Sequence, residues 1–316
     1  MLVQTLIVQI IPLLMLIGVG FYAGRRLSVN LHSMAIMTIY IFAPFVNFGA
    51  MSRMHFEPQY ISLPFISFAV SFTITIASYA AAGLFWKDQS RNLIGMASVS
   101  GNTGYFGMPI IIALLSEQWV GVYLMLNLGA LFAETTLGYY LAARGNFTAR
   151  DSMMKVLKLP VFYGIAAGLL VNLSGLQLPE VVYTYWTYAA GAWFLSGMML
   201  IGVALSKLVT ISFSPPKIAY LFCVKFLVWP LAMAAIIVVD MHVFQMFNPV
   251  VYLMLAIYGT VPLAGNPVAY AAQLGLDAEG VATAVLFSTL FALVYMPLAL
   301  LLFQSTGLFA DLALDL

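Results

Sequence analysis

Ten times along this chain an apolar run of about 20 residues gives way to a short polar connection, and a helix of that length crosses the hydrocarbon core of a bilayer. The runs lie near Thr5–Gly24, Met34–Met51, Ile61–Trp86, Asn92–Leu115, Val120–Ala143, Leu157–Leu173, Val181–Leu205, Ile218–Val239, Val250–Leu274 and Val281–Phe303. Charged residues are only 7% of the chain, against roughly 25% in soluble domains. An all-α membrane protein with ten transmembrane helices is therefore expected. The net charge of +1 leaves no basic face for nucleic acid. No basic residue precedes the first run, so it does not read as a cleavable signal peptide. The lone cysteine, Cys223, excludes a disulfide framework and reads as a small buried hydrophobe.

The fourth run contains GNTGYFGMP, Gly101 to Pro109. Proline removes an amide donor and clashes with the preceding turn, and glycine loosens the backbone, so an unbroken helix is not expected there. Broken helix at membrane depth survives only where protein or a water-filled cavity satisfies the freed groups, and in transporters such breaks mark the binding site. The ninth run contains a second such stretch, GTVPLAGNP, Gly259 to Pro267. Aligned at an offset of 158, half the chain length, Gly101 meets Gly259, Gly107 meets Gly265 and Pro109 meets Pro267. The reading is two repeats, 1–150 and 151–316, each with one broken span. Gly101, Thr103, Gly104, Gly107, Pro109, Pro262, Gly265 and Pro267 would form the crossover backbone. Ten of the twelve lysines and arginines fall on one side of the runs, which marks the cytoplasm and puts both termini outside. An odd five spans per half then makes the repeats inverted, an architecture that supports alternating access.

GNTGYFGMPI, together with VPLAGNPVAYAAQLG, the tenth run, and the Lys225-to-Pro230 spacing in KFLVWP, resembles the auxin efflux carrier family. That family belongs with the bile acid–sodium symporters in a wider superfamily. The resemblance implies a core of spans three to five and eight to ten, with the broken fourth and ninth spans crossing. Spans one, two, six and seven would form a scaffold that dimerises, and the core would move against it in an elevator-like way. It further implies secondary transport of a small organic anion, a carboxylate or auxin-like acid, with no cofactor and with H+ or Na+ as the possible coupling ion. The chain lacks the long central cytosolic loop of plant carriers, so a compact carrier of a prokaryotic inner membrane is the better match.

The candidate site follows from polar groups placed in apolar runs. Asn102 and Asn266 sit at the two breaks, where a carboxamide can hold a carboxylate or cap freed backbone. Half-helix N-termini at a crossover add partial positive charge that suits an anion. Asn47 and Tyr105 are further substrate-facing candidates. Glu134 is an acid well inside a span, so it faces a cavity, pairs or titrates. Lys225 attracts the substrate, pairs with Glu134 or snorkels to the surface. Asn127 and Gln273 are amide candidates for a sodium ion. Trp86, Trp119, Trp186 and Tyr183 fall near span ends and read as an aromatic belt. No HExxH, nucleophile–base spacing or phosphate-cradling loop supports an enzyme, and no metal site is expected. The alternatives are a sodium-coupled symporter of the bile-acid type, a membrane sensor that binds without transport, and a channel.

Overall fold

The computed structural model describes residues 2–54, 56–115, 117–142, 158–206, 215–273 and 276–305. Its principal helices are α1 (Leu2–Arg26), α2 (31–53), α3 (Pro58–Phe85), α4 (Ser90–Ala97), α5 (Thr103–Leu114), α6 (Val120–Ala142), α7 (Pro160–Ser174), α8 (Glu180–Ser206), α9 (Pro215–Phe244), α10 (Pro249–Thr260), α11 (Asn266–Gln273) and α12 (Ala278–Ser305). Each apolar run falls on one helix, except that the fourth falls on α4 and α5 and the ninth on α10 and α11. Among the described residues, stretches of α3, α6, α8, α9 and α12 are by themselves long and apolar enough to cross a membrane. Their outer faces carry large apolar side chains such as Phe65, Leu84, Leu231 and Leu302, all more than half exposed. Apolar surface on that scale has no place facing water, and the protein is an all-α membrane protein. The boundary at 150/151, Arg144, Arg150, Lys155, Lys207 and both chain ends lie outside the described residues.

The helices pack in two groups. In the first, α1 packs on α8, α2 on α7, and α8 on α2. Small residues let these backbones touch, as is usual where apolar burial alone cannot drive helices together. A Cβ on Gly20 would come within 2.1 Å of the Met199 carbonyl oxygen, and one on Gly164 within 2.2 Å of that of Pro44. Trp186, expected in an aromatic belt, belongs to this packing instead. It is 3% exposed, its ring lies against Gly49, and its Nε1–H donates to the Val46 carbonyl at 2.8 Å. At one end of the group, Arg53 pairs with Glu180 at 3.1 Å and its guanidinium stacks over Tyr183. In the second group α3 packs on α6 and α4, α9 on α10, and α12 on α10 and α11. The groups meet where α2 touches α6, α1 touches α12 and α8 touches α5.

Several helices widen into π turns, and most have a cause in the sequence. Met37–Phe42, Thr103–Gly107 and Val224–Val228 each end two residues before a proline: Pro44, Pro109 and Pro230. The ring would collide with the carbonyl four residues back, and a wider turn relieves the collision without ending the helix. The π turn Glu134–Gly138 has no such proline. Beside it, the hydroxyls of Thr135 and Thr136 donate to the Leu131 and Phe132 carbonyls. Cys223 is exposed on the outside of α9 rather than buried. Asp240 closes the turn into α10, accepting from the Phe247 amide at 3.0 Å and the Tyr252 hydroxyl at 2.8 Å.

Candidate functional site

The two gaps in the helices, 98–102 and 261–265, cross. Gly101 and Leu263 form an antiparallel backbone bridge, and the Asn102 amide donates to the Pro262 carbonyl at 2.8 Å. The Leu263 amide donates to the Ser288 hydroxyl of α12 at 3.1 Å. Here glycine is required by space. A Cβ on Gly101 would lie 2.5 Å from Lys225 Nζ and 2.6 Å from a Val261 methyl.

The first gap lies earlier than the motif suggests. Gly101 and Asn102 are in it, but Thr103, Gly104, Gly107 and Pro109 already belong to α5, because the π turn accommodates Pro109 within the helix. In the second stretch Pro262 and Gly265 are in the gap. Asn266 and Pro267 open α11, where a proline costs nothing because first-turn amides have no partner anyway. Thr103 and Asn266, the first residues of the two half-helices, are 163 residues apart, as are Ala97 and Thr260, the last residues before the gaps. The helix ends on either side of the gaps thus match at an offset of 163, whereas the motif glycines and prolines match at 158.

A cavity of about 220 Å³ opens beside the crossover, between α2, α7 and α8 on one side and α5, α6 and α11 on the other. Asn47, Asn102, Tyr105, Asn127, Glu134 and Asn266 all line it. So do Gly101, Thr103, Gly104 and Gly265, whereas Gly107, Pro109, Pro262 and Pro267 stand outside its wall. Gln273 ends α11, and its side chain lies outside the described residues.

The polar atoms in this wall are only partly satisfied. Asn47 is buried, and its carboxamide donates to the Ala43 carbonyl at 2.7 Å. Thr103 donates its hydroxyl to Asn127 Oδ1 at 2.5 Å, tying the start of α5 to α6. The Glu134 carboxylate is 4% exposed, accepts from the Ser100 hydroxyl at 2.7 Å through Oε2, and has the Asn266 carboxamide as a neighbour. Its Oε1 has no partner, nor do the buried donors Asn102 Nδ2 and Trp193 Nε1. Tyr105 packs edge-on to Trp193 at 5.2 Å, and its ring lies where a Cβ on Gly197 of α8 would be.

Lys225 is elsewhere. It is 1% exposed, which excludes snorkelling, and it makes no ion pair with Glu134. Its ammonium lies behind Gly101, off the cavity wall and 4.7 Å from the Trp229 ring, a cation–π distance.

Ser100, Trp193, Tyr40 and Tyr270 line the cavity without having been singled out in the sequence. Ser100 stands one residue before the motif, and a hydroxyl beside a break was a readable signal. The aromatics carried none, being common residues in apolar runs.

No family model matches the chain. It is similar to an uncharacterized transporter of Methanocaldococcus jannaschii, with 26% identity over 210 residues, which covers 62% of this chain and 68% of that protein.

Proposed function

We propose that this protein is a secondary active transporter of a small organic anion, with its binding site at the crossover. The observation that carries the reading is the cavity itself. Four carboxamides, those of Asn47, Asn102, Asn127 and Asn266, and the N-termini of α5 and α11 surround a space of about 220 Å³ between two separately packed helix groups. Free amides at a half-helix N-terminus favour a carboxylate. The similarity to a transporter and the apolar helices support membrane transport.

On this reading the chain crosses the membrane ten times as two inverted five-span repeats, with both termini outside the cytoplasm of a cell enclosed by an inner membrane. The packing pairs α1–α8 and α2–α7 fit a two-fold relation between the halves, since each joins the first span of one half to the second span of the other. The group α1, α2, α7 and α8 is the scaffold, through which two copies pair. The remaining helices are the core, which carries the substrate past the scaffold as an elevator.

A cation-coupled variant has one observation in its favour. Glu134 faces a cavity whose described lining includes no lysine, arginine or histidine. A bound anion beside that carboxylate needs a compensating positive charge, which a proton or a sodium ion would supply.

The test is tracer flux into proteoliposomes with a panel of organic anions that includes malate, malonate and indole-3-acetate. Saturable flux of one member is expected, lost in the Asn102→Ala, Asn266→Ala double variant while the protein stays folded. Flux that survives in the folded variant removes the site from the crossover. Binding without flux across an imposed gradient makes the protein a sensor, and linear flux makes it a channel.

A further inference from the structure

We infer that the carried molecule brings its own cation: an α-amino acid zwitterion rather than a simple carboxylate. The inference rests on the crossover being the transport site and replaces the simple anion of that reading with a zwitterion whose carboxylate takes the same place.

Three residues of the cavity wall carry buried polar atoms that have no partner. Asn102 Nδ2 and Trp193 Nε1 are buried donors without an acceptor, and Glu134 Oε1 is a buried acceptor without a donor. All three residues line the same cavity. An unpaired buried polar group is costly, and a ligand that reached these three atoms would remove that cost. The two donors need an acceptor such as a carboxylate, and Oε1 needs an N–H. An α-amino acid carries both on adjacent atoms.

Charge points the same way. Glu134 is the one aspartate, glutamate, lysine, arginine or histidine in the described lining. Its other oxygen is engaged by Ser100 at 2.7 Å, which holds the carboxylate in place without neutralising it. Lys225, the one buried lysine or arginine among the described residues, lies against Gly101 off the cavity wall and makes no hydrogen bond to the carboxylate. A simple carboxylate would put two like charges into one buried space, an arrangement that strongly disfavours ionisation of one of them. A zwitterion adds no net charge and offers an ammonium to Oε1. The rest of the wall includes Leu124, Leu131, Val161 and Ile165, which suits an aliphatic or aromatic side chain.

The competing account puts a proton on Oε1, which turns all three unpaired groups into donors and suits a simple acid. Matched probes separate the two. Flux of L-alanine, L-valine, L-leucine and L-phenylalanine is compared with that of propionate, 3-methylbutanoate, 4-methylpentanoate and 3-phenylpropanoate in proteoliposomes holding the full chain. At least one amino acid is expected to compete or be carried at a concentration ten or more times lower than its desamino partner. The Glu134→Gln variant is expected to lose that preference while still admitting the desamino acid. A wild-type preference for the desamino acids, rising as the pH falls, overturns the inference and leaves anion transport at the crossover standing. A preference for amino acids that persists undiminished in folded Glu134→Gln overturns the role of Oε1. The wild-type comparison alone decides the substrate class if that variant does not fold. Transport of neither set, nor of any organic anion, overturns the inference together with the reading on which it rests.

Discussion

The two gaps meet at one point, yet they are held in different ways. In the first, the Asn102 amide is satisfied by the backbone of the other gap, through the Pro262 carbonyl. In the second, the Leu263 amide depends on a side chain, the Ser288 hydroxyl of α12. The helix that follows the first gap is crowded: a Cβ on Gly107 would sit 2.2 Å from the Tyr123 hydroxyl and 3.1 Å from a Val261 methyl. A Cβ on Gly265, at the end of the second gap, would find only an Ile201 methylene, at 3.7 Å. Glycines that the motifs align thus lie in a tight half-helix and in a roomy gap. Resemblance between repeats reports that the chain bends, and the neighbours decide how much freedom each bend keeps.

The largest expected effect comes from the glycines that the sequence motifs align. Gly107→Ala should destabilise the protein by about 2–3 kcal/mol, the cost of overfilling a packed site. Gly265→Ala should stay within about 0.5 kcal/mol, as surface-like substitutions do. Thermal unfolding in detergent measures both, and equal losses would erase the contrast between the half-helix after the first gap and the end of the second gap. Next comes Ser288→Ala, which leaves the Leu263 amide buried and unpaired and should cost about 1–2 kcal/mol. Faster hydrogen exchange at Leu263 than at Asn102 in this variant would sharpen the distinction, and unchanged exchange would remove it. The smallest effect on stability is expected from Trp193→Phe. The ring keeps its contact with Tyr105, and the lost Nε1–H has no protein partner. Unfolding should shift by less than about 0.5 kcal/mol, while saturable flux weakens because a donor to the substrate is gone. A stability loss with flux intact would make Trp193 a packing residue only.

Much of this architecture was legible because polarity inside an apolar run has few innocent explanations. Asn47, Asn102, Asn127, Glu134 and Asn266 stood out on those grounds, and they come from separate stretches to one cavity. The position of the first gap was not legible. Gly104, Gly107 and Pro109 look like breakers, but a π turn absorbs the proline, and the gap lies on their N-terminal side. The helix ends at the gaps match at an offset of 163 rather than 158, since matching the motif glycines aligns residues in a helix with residues in a gap. Partnership between distant residues was also hidden. Lys225 and Glu134 are each one ionisable group in an apolar run, and the sequence does not say that Glu134 lines the cavity while Lys225 lies off its wall against Gly101, without a bond between them. Trp186 shows the limit for aromatics. Its place near a span end suggested a belt, whereas its fit over Gly49 is set by a helix some 140 residues away in sequence.

The Tyr105 ring occupies the notch that Gly197 leaves in α8. If the core slides along the scaffold, that ring cannot glide, because neighbouring positions on α8 carry bulkier groups such as Trp193 and Ile201. It must lift out and reseat, as a detent does in its track. Movement between the two sides of the membrane would then be stepwise, with a dwell set by how firmly one phenol sits in one missing side chain, and widening or filling that notch would change the timing of transport before it changed the affinity for what is carried.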